Sequence, residues 1–129
     1  MKTARPERQK GQELAEYALV LPIFLFIIFG IFDMGRAVYT YSAMQNSARE
    51  GTRYGIVYPE DWEGIEAMVL EKAVGLDPSR LAINVSLLPE DAIRVQLVYQ
   101  FQPVTPFIPD LLGGSVIPLQ SQATMRVER

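Results

Sequence analysis

Sixteen consecutive residues without a charge, Tyr17 to Phe32, constrain what this chain can fold into more than any other feature. The run reads YALVLPIFLFIIFGIF, and as a helix it covers about 24 Å of a hydrocarbon layer roughly 30 Å thick. Its flanks make up the difference. Leu14 and Ala15 extend it on one side, and on the other Asp33 and Arg36 stand three residues apart, where a helix lets them pair before AVYTY resumes. A cleavable secretory signal would show small residues at an A-x-A-like site after its apolar part. Here FGIFDMGRAVYTYSAMQ continues a helical pattern, so the span reads as retained.

Charge is distributed unevenly about this run. Residues 1–11 hold Lys2, Arg5, Arg8 and Lys10 against Glu7 alone, leaving 8 basic and 14 acidic side chains for the remainder. Basic residues before an apolar span place the N terminus in the cytoplasm and the acidic remainder outside. A head of that charge is a poor partner for nucleic acid. The chain has no cysteine and no histidine, which removes disulfides, thiol nucleophiles, histidine bases and the usual zinc ligands together. Nor does it carry a nucleophile–base pair, a phosphate-cradling glycine loop or a metal cluster, so the sequence reads as a non-enzyme without a cofactor or metal.

Two residues interrupt the apolar run. Pro22 lacks a backbone donor and leaves the Ala18 carbonyl without its helical partner, which predicts a bend or a loosened turn; Gly30 is the second weak point. Membrane helices tolerate such kinks. The alternative is a place where the helix melts on leaving the bilayer. Glu16, immediately before the run, is expensive at a hydrocarbon edge unless it keeps water or acquires a partner.

Beyond Gln12 no helix stop is evident until Gly51 or Gly55, followed by Tyr58 and Pro59. A helix over 12–56 is about 60 Å long, twice the apolar layer, so its outer half must project. Small residues there (Ala37, Ser42, Ala43, Ser47, Ala48) permit close helix approach, among Val38, Tyr39, Tyr41 and Met44. Next, DWEGIEAMVLEKAVG reads as a short helix with Asp61 as N-cap and Gly75 at its C-cap, burying Trp62, Ile65, Met68, Val69 and Leu70.

Alternation at Leu81, Ile83, Val85 and Leu87, the turn Pro89-Glu90-Asp91, and alternation at Ile93, Val95, Leu97, Tyr99 and Phe101 predict a hairpin. A third strand is expected over 119–127, with Leu119, Ala123, Met125 and Val127 on one face. Between strands two and three, Pro103, Pro106, Pro109 and Pro118 argue against regular structure. Phe107, Ile108, Leu111 and Leu112 in this loop read as packed on the sheet or the long helix, or alternatively as a contact for a neighbouring subunit. The fold class is α+β: a long N-terminal transmembrane helix, then a small head over 57–129 with a short helix and a three-stranded antiparallel sheet covered by helix.

These residues carry a family likeness. KGQELAEYALVLPIFLFIIFGIFDMGRAVYTYSAMQNSAREGTRYG resembles the N-terminal region of TadE-like pilins and pseudopilins, the tight-adherence branch of the type IV pilin superfamily. FQPVTPFIPDLLGG and QSQATMRVER are similar to that family's tail. The resemblance implies that residues 1–11 are a leader removed after Gly11 by a prepilin peptidase, with Gln12 the new N terminus. Glu16 then matches the pilin glutamate, the fifth mature residue, and Tyr17 the residue paired with it. It further implies that the amine of Gln12, or of a neighbour's equivalent, partners Glu16 and sets the register between subunits. The precursor would sit in the inner membrane until an assembly platform builds it, with other copies or related pilins, into an extracellular pilus. Without Gly11, Glu16 would read as an interfacial carboxylate favoured by the helix dipole. Asp33, Arg36, Arg49 and Arg53, the last two one helical turn apart, are candidate contacts between subunits, as are Phe107, Leu111 and Leu112. The alternative function is a non-polymerising single-span membrane protein with an extracellular binding head.

Overall fold

The computed structural model describes residues 7–127, with the side chains of Lys10 onward; most of the basic leader lies outside the described residues, as do Glu128 and Arg129. Its dominant element is α1, Glu7–Val57, one helix of 51 residues and about 77 Å. The helix runs unbroken through Pro22, where the sequence predicts a loosened turn. One missing donor leaves the rest of the i to i−4 ladder in place.

The head is built on the outer half of α1. Helix α2 (Trp62–Lys72) folds back against it, a 3-10 turn (Pro78–Arg80) follows, and β1 (Leu81–Leu88), β2 (Ala92–Phe101) and β3 (Ile117–Arg126) form an antiparallel sheet in the order β1-β2-β3. The β1–β2 hairpin turns through Pro89-Glu90-Asp91, with Asp91 in the left-handed region at φ 53°. Asp tolerates that conformation because its short polar side chain bonds locally. β2 is the central strand and its alternation is fully realised, with Ile93, Val95, Leu97, Tyr99 and Phe101 all buried. On its outer face, Arg94 donates to Thr124 and Gln96 to Gln122, each at 3.3 Å and each to its register partner in β3.

α1 supplies the other side of the core through Met44 and Ala48, both wholly buried, alongside Ile65 and Val69 of α2. Ser47 and Thr52 are buried there too, and each donates its hydroxyl to a carbonyl of its own helix, so neither is left unsatisfied. Gly51 and Gly55 are not helix stops. A Cβ on Gly51 would collide with the Val69 Cγ2 methyl, and one on Gly55 would lie 3.0 Å from Ile65 Cδ1 and Ile93 Cδ1. At these two positions α2 and the sheet pack directly against the α1 backbone.

Other expectations need correction. The exposed share of α2 is larger than its spacing suggests: Ile65 and Val69 are buried, while Trp62 and Leu70 remain 41% and 43% exposed. An eleven-residue helix lying on one larger helix covers only a narrow stripe. Leu87, at the hairpin end of β1, is half exposed because the covering helices do not reach it. The C-cap of α2 is Ala73, and Gly75 lies two residues on at φ 77°, against the Tyr39 ring. Pro118 sits inside β3, which an edge strand tolerates. Pro109 falls in the first turn of a short helix, α3 (Ile108–Leu111), where its missing donor is not needed.

Asp61 caps α2, accepting at 3.0 Å from Gly64 N–H, and also accepts at 2.8 Å from the Tyr54 hydroxyl of α1. The Tyr54 hydroxyl chiefly, with the Gly64 N–H, holds the Asp61 carboxyl below its usual value. A depressed folded-state pKa contributes stability that is present above the ordinary carboxylate value and is lost as pH falls through the folded one. Asp61→Asn should therefore flatten the acid limb of thermal melts recorded below about pH 4. Gly51→Ala should destabilise the head by about 1–3 kcal/mol through overpacking. Combining it with Val69→Ala should restore part of that loss, so a double-mutant cycle by chemical denaturation should show positive coupling.

Candidate functional site: the bare helix and its junction with the head

Two features of α1 stand out. The first is that the large apolar side chains of its N-terminal part are left exposed. From Leu14 to Phe32 every large apolar side chain is exposed, between 39% at Phe29 and 73% at Leu19, and the exposure goes all the way round the helix. A helix that is hydrophobic on all sides needs an apolar environment on all sides, from lipid or from other helices. Gly11, Gln12, Glu16 and Tyr17 lie on this bare part and are exposed, with Gln12 and Glu16 one turn apart, about 6 Å along the axis. Gly11 is a poor helix residue, by about 1 kcal/mol relative to alanine, so helix propensity is low beside the Gly11–Gln12 bond. Gly30 has nothing within 4 Å of where a Cβ would stand.

The second feature is the junction at Asp33. Asp33 follows the apolar run directly and is only 5% exposed. Arg36 Nη1 donates to its Oδ1 at 3.0 Å, as their spacing predicts. The remaining partners come from 71 and 72 positions away, in the segment after β2. Val104 N–H lies 2.9 Å from both carboxylate oxygens, Thr105 N–H donates to Oδ2 at 2.6 Å, and the Thr105 hydroxyl donates to the same oxygen. Thr105 itself is 1% exposed. Arg36 also donates to the Gln102 carbonyl at 3.3 Å, and its guanidinium lies 5.2 Å above the Phe101 ring. The Asp33 carboxylate thereby finds its partners within its own chain. No local signal could have shown this, because the donors that complete the site are two backbone N–H groups and a threonine of a proline-rich connection.

The other candidate contacts remain at the surface. Arg49 and Arg53 are exposed on α1 and form no salt bridge among the described residues. Phe107, Leu111 and Leu112 are 72%, 85% and 61% exposed, so they do not pack on the sheet or the helix. From Pro106 to Val116 only Ile108 and Pro109 are partly covered, and the other residues are exposed.

A cleft of about 500 Å³ opens beside the junction, lined by Ile31, Phe32, Arg36, Tyr39, Arg80 and Phe101 among others. Among the described residues no group of three or more His, Asp or Glu side chains is placed to hold a metal ion.

Among the described residues one helix is long and apolar enough to cross a bilayer, and it carries a small α+β head on its outer half, which suggests anchoring by the N-terminal helix. Residues 11–53 match the family model described as TadE-like protein, the family the sequence resembles. The match starts at Gly11 and covers Glu16, Tyr17, Asp33, Arg36, Arg49 and Arg53; the rest of the head lies outside it. No curated protein and no solved structure matches the chain.

Asp33→Ala should cost on the order of 3 kcal/mol, because it strands two backbone donors and Arg36 around a buried gap. Limited proteolysis of the full chain in detergent should then cut the 102–116 segment much faster. An unchanged cleavage rate would show that the junction does not hold that segment.

Proposed function

We propose that this chain is a structural subunit, pilin or pseudopilin, of a tight-adherence, type IV-like pilus. It is held in the membrane as a precursor, cut between Gly11 and Gln12 by a prepilin peptidase, and assembled through α1 into a surface filament. The observation that carries this reading is the bare half of α1, apolar on every side and joined to a head that covers only the other half. A bilayer satisfies such a helix in storage, and copies of the same helix satisfy it in a fibre. Met34 and Val38, exposed at 71% and 59% on the outer half, extend the apolar surface past the membrane segment and suit side-by-side packing of subunits.

Glu16 has the register role in this scheme. A carboxylate carried into a filament interior costs several kcal/mol without a partner. The amine freed at Gln12 supplies one, from the same chain or from a neighbour, and a charge-assisted bond at one height on each helix permits one axial offset. The remaining partners are an assembly platform in the membrane and related pilins. The TadE-like match supports a structural rather than an enzymatic role.

Intact-mass measurement of sheared surface fibres tests cleavage and polymer membership together, and should return the chain beginning at Gln12. Recovery of the uncut chain from membranes alone would instead favour a non-polymerising single-span protein with a binding head. Glu16→Ala should leave insertion and cleavage intact and abolish fibres; normal fibres from that variant would remove the register role.

A further inference from the structure

The apolar loop after β2 has no partner within the chain, but its height along α1 is known. β2 runs antiparallel to α1: Ile93 meets α1 at Gly55, Phe101 meets it at Arg36, and Val104 and Thr105 meet it at Asp33. The strand therefore descends along the helix towards the apolar run and reaches its edge at Thr105. β3 starts its return beside Phe101. The connection from 102 to 116 is consequently the end of the head nearest the bare helix.

From this we infer that the 106–112 loop is a membrane-docking surface, seated in the lipid interface beside the point where α1 leaves the bilayer. The inference rests on the reading of the bare half of α1 as membrane-embedded. A hydrocarbon layer roughly 30 Å thick takes about 20 helical residues, four more than the charge-free run, so Asp33 lies at its boundary. Phe107 is two residues from Thr105 and hence within about 7 Å of that anchored position. The side chains offered there suit lipid: Phe107, Leu111 and Leu112 are more than half exposed, and Asp110 is the single charge between Arg94 and Arg126. Phe107 is held at φ 71°, a backbone region that bulky residues rarely adopt, and it gains little burial within its own chain. The polar end of the junction is equally suited to this height. Arg36 is part-exposed beside Asp33, and Arg80, close by, donates to Gln102, so two guanidiniums face the headgroup layer. The head is thus held down on the bilayer through two attachments, the helix and the loop.

Because the chain has no cysteine, single-cysteine variants report single positions. Full chains with Leu111→Cys, Leu112→Cys, Leu25→Cys or Glu63→Cys are nitroxide-labelled and placed one copy per phosphatidylethanolamine/phosphatidylglycerol nanodisc. Electron paramagnetic resonance power saturation then compares access of oxygen and of a water-soluble nickel chelate. The labels at 111 and 112 should favour oxygen severalfold more than the label at 63, approaching the label at 25. If 25 reports lipid while 111 and 112 report water, the docking inference is overturned and the membrane reading stands. If 25 also reports water, the membrane reading fails and takes the inference with it. Shielding of 111 and 112 that develops only in discs holding several copies would make the loop a contact between subunits and overturn lipid docking.

Discussion

The structure depends on one buried carboxylate. Asp33 gathers a guanidinium, two backbone N–H groups and a hydroxyl around two oxygens, and in doing so joins the end of the apolar run to the end of the central strand. Desolvating a carboxylate is costly, and this one is offset only when every donor arrives. The arrangement is therefore all-or-none: the strand cannot slide along the helix without losing several charge-assisted bonds together. It sets the height of the head on α1, with bare helix below and core above.

Above that point the head and the helix are not separate bodies. Three strands and an eleven-residue helix enclose too little volume for an independent core. Met44, Ala48 and the glycine surface at Gly51 and Gly55 complete it, so α1 is both the anchor and one wall of the head. A load applied along α1 would reach the sheet directly through this packing. That coupling keeps the head in a constant orientation to the helix.

The parts of the fold that could be read from the chain are those ruled by local periodicity. β2 alternates in sequence and in burial from Ile93 to Phe101, and Asp61 caps α2 as its position before Trp62 suggests. Misreadings arose where one residue type serves two ends. Gly51 and Gly55 look like helix terminators, but a glycine also permits close approach, and only the presence of Val69 and Ile65 opposite them selects the second use. The apolar residues of the proline-rich loop look like core, yet the Asp33 junction captures Val104 and Thr105 first and leaves Phe107, Leu111 and Leu112 outside. Of the Asp33 site, the pairing with Arg36 was legible from its spacing of three residues, whereas the long-range half was not.

By itself the sequence determined that a charge-free helix begins after Glu16, that it is long enough with its flanks to need an apolar surrounding, and that an α+β head follows. Those are consequences of composition and of period, which act over a few residues. Only the tertiary structure decided where the head sits on the helix, which face of α1 it covers, and which apolar residues remain for lipid or for another copy. These depend on donors and methyl groups brought together from up to 72 positions apart, and no local pattern encodes such a meeting.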